Sequence, residues 1–98
     1  MYRTISLPNG ARILAEHIPG MRSAALGFFV GAGSRHERGE ENGAAHFIEH
    51  MSFKGTARRS AADLAVEMDA IGGQVNAYTT KESTCFYARC LDRHLDRA

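Results

Sequence analysis

The sequence predicts an α+β fold, an antiparallel-dominated sheet with helices packed on one face. Two observations carry that expectation. Extended, strand-like patterns occupy both ends of the chain, over residues 2–31 and 74–90, and short turns join neighbouring strands. Between them, residues 42–73 carry two helical patterns with recognisable start and stop residues. Ninety-eight residues limit the chain to one small domain at most, burying only about 60–65% of the surface its unfolded form exposes. With 44% hydrophobic residues and two prolines the chain is not a disordered one. Twelve basic against eleven acidic side chains leave no excess to neutralise phosphates, which excludes nucleic acid as a partner on charge grounds. No apolar run reaches the ~18 residues that span a bilayer, so no membrane partner is expected.

Taken in order, residues 2–7 alternate with Ile5 and Leu7 on one face, and Pro8-Asn9-Gly10 is a turn signal. Residues 11–18 resume an extended apolar pattern, giving an N-terminal hairpin that Pro19-Gly20 ends. Ser23 to Gly31 is a near-continuous apolar run, read as a central strand covered on both faces. Residues 35–41 form a charged, solvated loop. A helix is expected from Gly43 to Lys54, with Asn42 as N-cap and Gly55 as a left-handed C-terminal cap. A second helix starts at Ser60, with Asp63 completing a capping-box pattern. Its Leu64, Met68 and Ile71 form one stripe, and Gly72-Gly73 stops it.

Gln74–Thr80 and Thr84–Cys90 read as strands, joined through Lys81-Glu82, which is not the Asn-Gly type that two-residue hairpins favour. Leu91, Leu95 and Ala98 recur at helical spacing with Asp92 as cap, so a third helix is expected to begin there and to be cut in mid-course. Cys85 and Cys90 sit on opposite faces of one strand and do not bridge. They read as reduced, buried thiols of a cytoplasmic protein, and the N-terminus shows no secretory signal.

The chemistry concentrates in His46-Phe-Ile-Glu49-His50. At 100° per residue the two imidazoles lie about 40° apart on one helix face, one turn apart, with Glu49 about 60° to the other side of His46. That is the spacing at which two histidines grip one metal ion. The rest of the helix is apolar nearly all round, so it should be buried, and two imidazoles and a carboxylate there need partners. The plain alternative is that the histidines bond to backbone groups and Glu49 pairs with an arginine. H-x-x-E-H inverts the zinc-protease signature H-E-x-x-H; in either order the histidines are ligands and the glutamate stays free to take a proton from water.

Residues 43–56 (GAAHFIEHMSFKGT) closely resemble the active-site helix of the M16 metallopeptidases, the pitrilysin, insulin-degrading-enzyme and mitochondrial-processing-peptidase group. Residues 30–37 (VGAGSRHE) resemble the strand and loop before that helix, residues 72–79 (GGQVNAYT) its substrate-binding strand, and residues 82–87 (ESTCFY) the strand after that. The resemblance implies Zn²⁺ as cofactor, His46 and His50 as ligands, and Glu49 as the base activating the water that attacks a peptide carbonyl. It implies that Asn76 and Ala77 bind an extended peptide or unfolded polypeptide by β-addition. Without it, Asn76 reads as an edge-strand polar residue facing water. Tyr78 and Tyr87 read as packing residues.

The family's third ligand, a glutamate, would fall beyond Ala98, and its active enzymes enclose substrate between two homologous halves. The expectation is therefore residues 1–98 as the N-terminal portion of an M16-like peptidase domain, inactive on its own, with a second homologous half or subunit as partner. Two other functions compete. One is a metal-dependent lyase resembling S-ribosylhomocysteine lyase, in which Cys85 or Cys90 would matter; the other is a non-catalytic M16-like subunit. Gly31-Ala-Gly33 is a strand end rather than a dinucleotide fingerprint, Arg58-Arg59 solvates a loop, and His17, His36 and His94 lack partners at ligand spacing.

Overall fold

The structure is a computed structural model that describes residues 2–98. Strands β1 (Tyr2–Ser6) and β2 (Arg12–Glu16) pair antiparallel as a separate two-stranded hairpin, with Ile5 opposite Ile13. Its turn is closed by Gly10 at φ 90°, by the Gly10 N–H donating to the Leu7 carbonyl, and by the Asn9 side chain accepting from the Ala11 N–H at 3.0 Å. Asparagine and glycine are there because the turn needs a local acceptor and a positive φ.

The second sheet has three antiparallel strands in the order β3 (Ser23–Val30), β5 (Thr84–Leu91), β4 (Gln74–Thr79). β5 is central, pairing Val30 with Thr84 on one side and Thr79 with Thr84 on the other. Four of its residues are buried with hydrophobic or small side chains packed between neighbours: Thr84, Cys85, Ala88 and Cys90. Both cysteines are free thiols on opposite faces, as the sequence predicts. The β4–β5 turn works without Asn-Gly because Thr80 replaces it. The Thr80 hydroxyl accepts from the Glu82 and Ser83 N–H groups at 3.3 and 3.1 Å, while the Thr80 N–H donates to the Ser83 carbonyl at 2.8 Å.

Helix α2 (Ala61–Ala70) has the box expected of it. Ser60 Oγ accepts from the Asp63 N–H at 3.1 Å, and Asp63 Oδ2 accepts from the Ser60 N–H at 2.9 Å. The helix ends with the Gly73 N–H on the Met68 carbonyl and the Gly72 N–H on the Asp69 carbonyl, both at 3.0 Å, with Gly72 at φ 65°. This is a Schellman closure, which needs a residue in the left-handed region just past the helix. Ile71 is buried at 5% exposure, and Leu64 and Met68 are half-buried. Both helices meet the sheet through β4.

Helix α1 runs from Ala44 to Met51, shorter than expected. Gly43, not Asn42, is its N-cap, at φ 88° and with no side-chain bond. Glu37 supplies the missing acceptor from the preceding loop, taking the Ala45 N–H on Oε2 at 3.3 Å. That loop is two 3₁₀ turns, Ser34–His36 and Gly39–Glu41, where sequence reading saw only charge.

Three expectations fail on tertiary grounds. Ser23–Val30 is an edge strand, not a central one, and its Phe28 and Phe29 are 63% and 73% exposed. Helix α1 is not buried all round: its main contacts are with β4 and the Ser34–His36 turn, and Phe47 and Ile48 are left 64% and 61% exposed. After Leu91 there is a 3₁₀ turn, Asp92–His94, rather than an α-helix. Leu91 is still paired with Ser23 and the Asp92 N–H still bonds the Arg22 carbonyl, so few residues remain to nucleate helix. The chain exposes 8113 Å², where a compact monomer of this mass exposes about 5,500 Å². Its radius of gyration is 15.6 Å against about 12.6 Å for that length.

Candidate metal centre

The i, i+4 spacing on α1 does what helical geometry requires. His46 and His50 project together, their rings stacked with centroids 4.6 Å apart and planes 11° from parallel. Their Nε2 atoms approach to 2.7 Å. Two nitrogens bound to one tetrahedral zinc at about 2.0–2.1 Å each lie about 3.3–3.4 Å apart. The pair therefore converges on one point and needs to open by only about 0.7 Å to admit the ion, which small side-chain rotations provide. Both rings are exposed to solvent, so burial does not force a partner on them. Among the described residues the two rings bond each other and neither side chain bonds to backbone; the case for a metal rests on the convergence of two ligand atoms of the right type.

Glu49 leaves the helix on the side that faces the sheet and is half-buried. Its partner is not an arginine. The Thr79 hydroxyl, at the end of β4, donates to Glu49 Oε2 at 2.5 Å. Position thus gives glutamate and histidine different surroundings: the imidazoles point out to solvent, and the carboxylate is held against the sheet. Among the described residues no third His, Cys, Asp or Glu gathers with the pair. Donor type and convergence fit a divalent cation such as zinc, with two of its ligands supplied by α1.

Asn76 and Ala77 lie on β4, the edge strand opposite β3, with Asn76 exposed and Ala77 half-buried. Asn76 Oδ1 accepts from the Ala77 N–H at 2.8 Å, so a side-chain acceptor covers a main-chain donor at this strand. Beside β4, against α2, runs an open cleft of about 530 Å³ lined by Met68, Asp69, Val75, Asn76, Tyr87 and Arg89. The Tyr78 and Tyr87 rings meet at 6.1 Å, as packing residues do.

Cys85 does not join the site. Thr79 faces Glu49, and Tyr78, its neighbour on β4, sits opposite Cys85; alternation therefore points the thiol to the other face of the sheet. That geometry disfavours a lyase chemistry built on Cys85. Thr79 is the site residue that sequence reading missed. Its hydroxyl meets Glu49 across thirty positions of chain, and no local pattern signals such a contact.

Comparison with known proteins shows what the chain as a whole is similar to. The family model for insulinase, peptidase family M16, matches residues 12–98. A protein described as zinc protease YmxG, from Bacillus subtilis, is 52% identical over 98 residues, which is 100% of this chain and 24% of that protein. The mitochondrial-processing peptidase subunit beta of Saccharomyces cerevisiae is 48% identical over 96 residues, 98% of this chain and 21% of the subunit. A crystal structure of a protease from Helicobacter pylori superposes with a TM-score of 0.91 at 24% identity, covering 99% of this chain and 24% of that one. That superposition shows the shared fold. This chain spans about a quarter of the length of the curated relatives it matches.

Proposed function

Because the chain belongs to peptidase family M16, the insulinase family, we propose that it is the amino-terminal portion of a zinc-dependent metallopeptidase acting on extended peptides or unfolded polypeptide. The observation that carries this is the pairing of two tasks on one helix: His46 and His50 converge outward while Glu49 is held inward by Thr79. The zinc proteases named among its relatives support the same chemistry. The wide exposure of Phe28, Phe29, Phe47 and Ile48 supports a longer polypeptide or a homologous second half covering those faces. One relative is itself named as a subunit. Among the described residues no helix is long and apolar enough to cross a membrane. The free thiols Cys85 and Cys90 support our placing the protein in the cytoplasm, and its balanced charge supports our assigning it no nucleic-acid partner.

His46 and His50 would hold the zinc, a Lewis acid that, when bound, polarises a carbonyl and makes water a stronger nucleophile. Glu49 is the general base, its carboxylate taking the proton from the attacking water and returning it to the departing amine. Asn76 and Ala77 lie on the strand that lines up the peptide main chain, where backbone contacts give affinity with little demand on sequence. A third protein ligand would come from outside these residues, and the isolated 98-residue chain would bind zinc weakly and turn over no peptide.

The test is Glu49→Gln and His46→Ala in the full-length protein, with zinc content and peptide hydrolysis both measured. Glu49→Gln should keep its zinc and lose 10²-fold or more in kcat, in the range a general base supplies. His46→Ala should lose zinc. Turnover that survives Glu49→Gln, or that ignores a chelator, refutes the reading. Zinc retained together with no cleavage of any peptide by the unaltered protein would favour a non-catalytic subunit.

A further inference from the structure

We infer that Thr79 is a positioning residue for Glu49, fixing the base relative to the strand that holds the substrate; the inference rests on the reading of Glu49 given above. A glutamate has three side-chain torsions and, when unrestrained, spends little time in any one reactive geometry. The Thr79 Oγ1–H donates to Glu49 Oε2 at 2.5 Å, the short distance typical of a hydroxyl on a carboxylate. Among the described residues this is the one side-chain hydrogen bond Glu49 makes, and it leaves Oε1 for the reacting water.

The donor is itself well anchored. Threonine is β-branched and stiff at χ1, so its hydroxyl direction follows from the backbone. That backbone is paired in register with Thr84, which is buried and whose own hydroxyl is fixed to the Ala32 carbonyl at 2.8 Å. Thr79 also follows Ala77 by two residues on the same face of β4, about 6.7 Å along the strand. One strand therefore carries the peptide-aligning residues and the hydroxyl that aims the base. Any shift of β4 moves both together, which keeps the carboxylate in register with the scissile bond.

Thr79→Val removes the hydroxyl and keeps the branched shape; Thr79→Ser keeps the hydroxyl. Both are compared with the unaltered protein and with Glu49→Gln, at full length. Three quantities are read: zinc affinity by titration, kcat and KM on a fluorogenic peptide, and the NMR order parameter of the Glu49 γ-methylene. Thr79→Val should lower kcat by about 10- to 100-fold with KM and zinc affinity within twofold, and the Glu49 order parameter should fall. Thr79→Ser should recover kcat to within about threefold. The inference is overturned if Thr79→Val leaves kcat and Glu49 order unchanged while Glu49→Gln is inactive. It is equally overturned if Thr79→Ser is as poor as Thr79→Val, which would make the role one of packing. Full turnover by Glu49→Gln would instead overturn the base assignment itself, and Thr79's role with it.

Discussion

Gly33→Ala is a test of how the loop before α1 is held. Gly33 is buried, with φ −141° and ψ −171°, an extended conformation open to any residue, so backbone strain is not the issue. Space is. A Cβ there would lie 2.4 Å from the Thr80 carbonyl oxygen and 2.7 Å from both Glu82 N and Lys81 C. These are main-chain atoms of the β4–β5 turn and cannot rotate away. Relief to ordinary contact requires the two segments to part by about 1 Å. The Ser34 N–H to Thr80 carbonyl bond, now 3.1 Å, and the Arg35 N–H to Lys81 carbonyl bond, now 2.9 Å, then both exceed hydrogen-bonding range. Each is worth about 0.5–1.5 kcal/mol, and overpacking adds about 1–3, so the loss is roughly 2–6 kcal/mol. That is a large part of the ~5–15 kcal/mol that holds a typical domain. The displaced turn leads to Glu37, so the cap on the Ala45 N–H should loosen as well. Urea unfolding of the full-length protein, with hydrogen exchange read at Ser34 and Arg35, checks this. Both amides should exchange at least 30-fold faster, and the midpoint should fall by about 1–2 M. Gly39→Ala, where a Cβ meets nothing within 4 Å, is the control and should change little. A Gly33→Ala protein with the control's midpoint and protected amides at 34 and 35 would refute the reasoning.

Other outcomes follow from the second helix. Ser60→Ala removes the acceptor on the Asp63 N–H and should cost about 1 kcal/mol in thermal or urea unfolding, with the loss localised to α2 by exchange. The Ser60 main-chain N–H, and then the Ser60 hydroxyl, hold the Asp63 carboxyl below its ordinary value of 3.8. A depressed carboxylate stabilises the fold above its unfolded value, so this contribution is complete at neutral pH. It fades as pH falls below about 3.8 through the folded value, and NMR titration of Asp63 should show that shift shrink in Ser60→Ala. Gly72→Ala should destabilise by about 1 kcal/mol, because φ 65° is strained for alanine although no atom blocks its Cβ, whereas Gly72→Asn should cost less.

Much of this molecule is written in short stretches of chain. Pro8-Asn9-Gly10, the Ser60–Asp63 box and the Gly72-Gly73 stop are legible because each is closed by atoms a few residues apart. The same holds for His46 and His50: a helix of 3.6 residues per turn brings i and i+4 together wherever it packs, and their Nε2 atoms duly meet. Residues 30–37, 43–56, 72–79 and 82–87 together carried the family resemblance, and the family model matches residues 12–98.

Tertiary structure decided whatever depends on distant partners. A run such as Ser23–Val30 has the same composition at the edge of a sheet as at its centre. Only the pairing of β5 with both neighbours put β3 outside and left Phe28 and Phe29 exposed. Asn42 looked like a cap, yet Glu37 does the capping, since a helix N-terminus accepts any carboxylate that a loop brings within reach. The partner of Glu49 is the clearest case. Helical periodicity determined that a carboxylate would sit beside two imidazoles, while the register of β4 against β5 determined that a threonine hydroxyl would hold it.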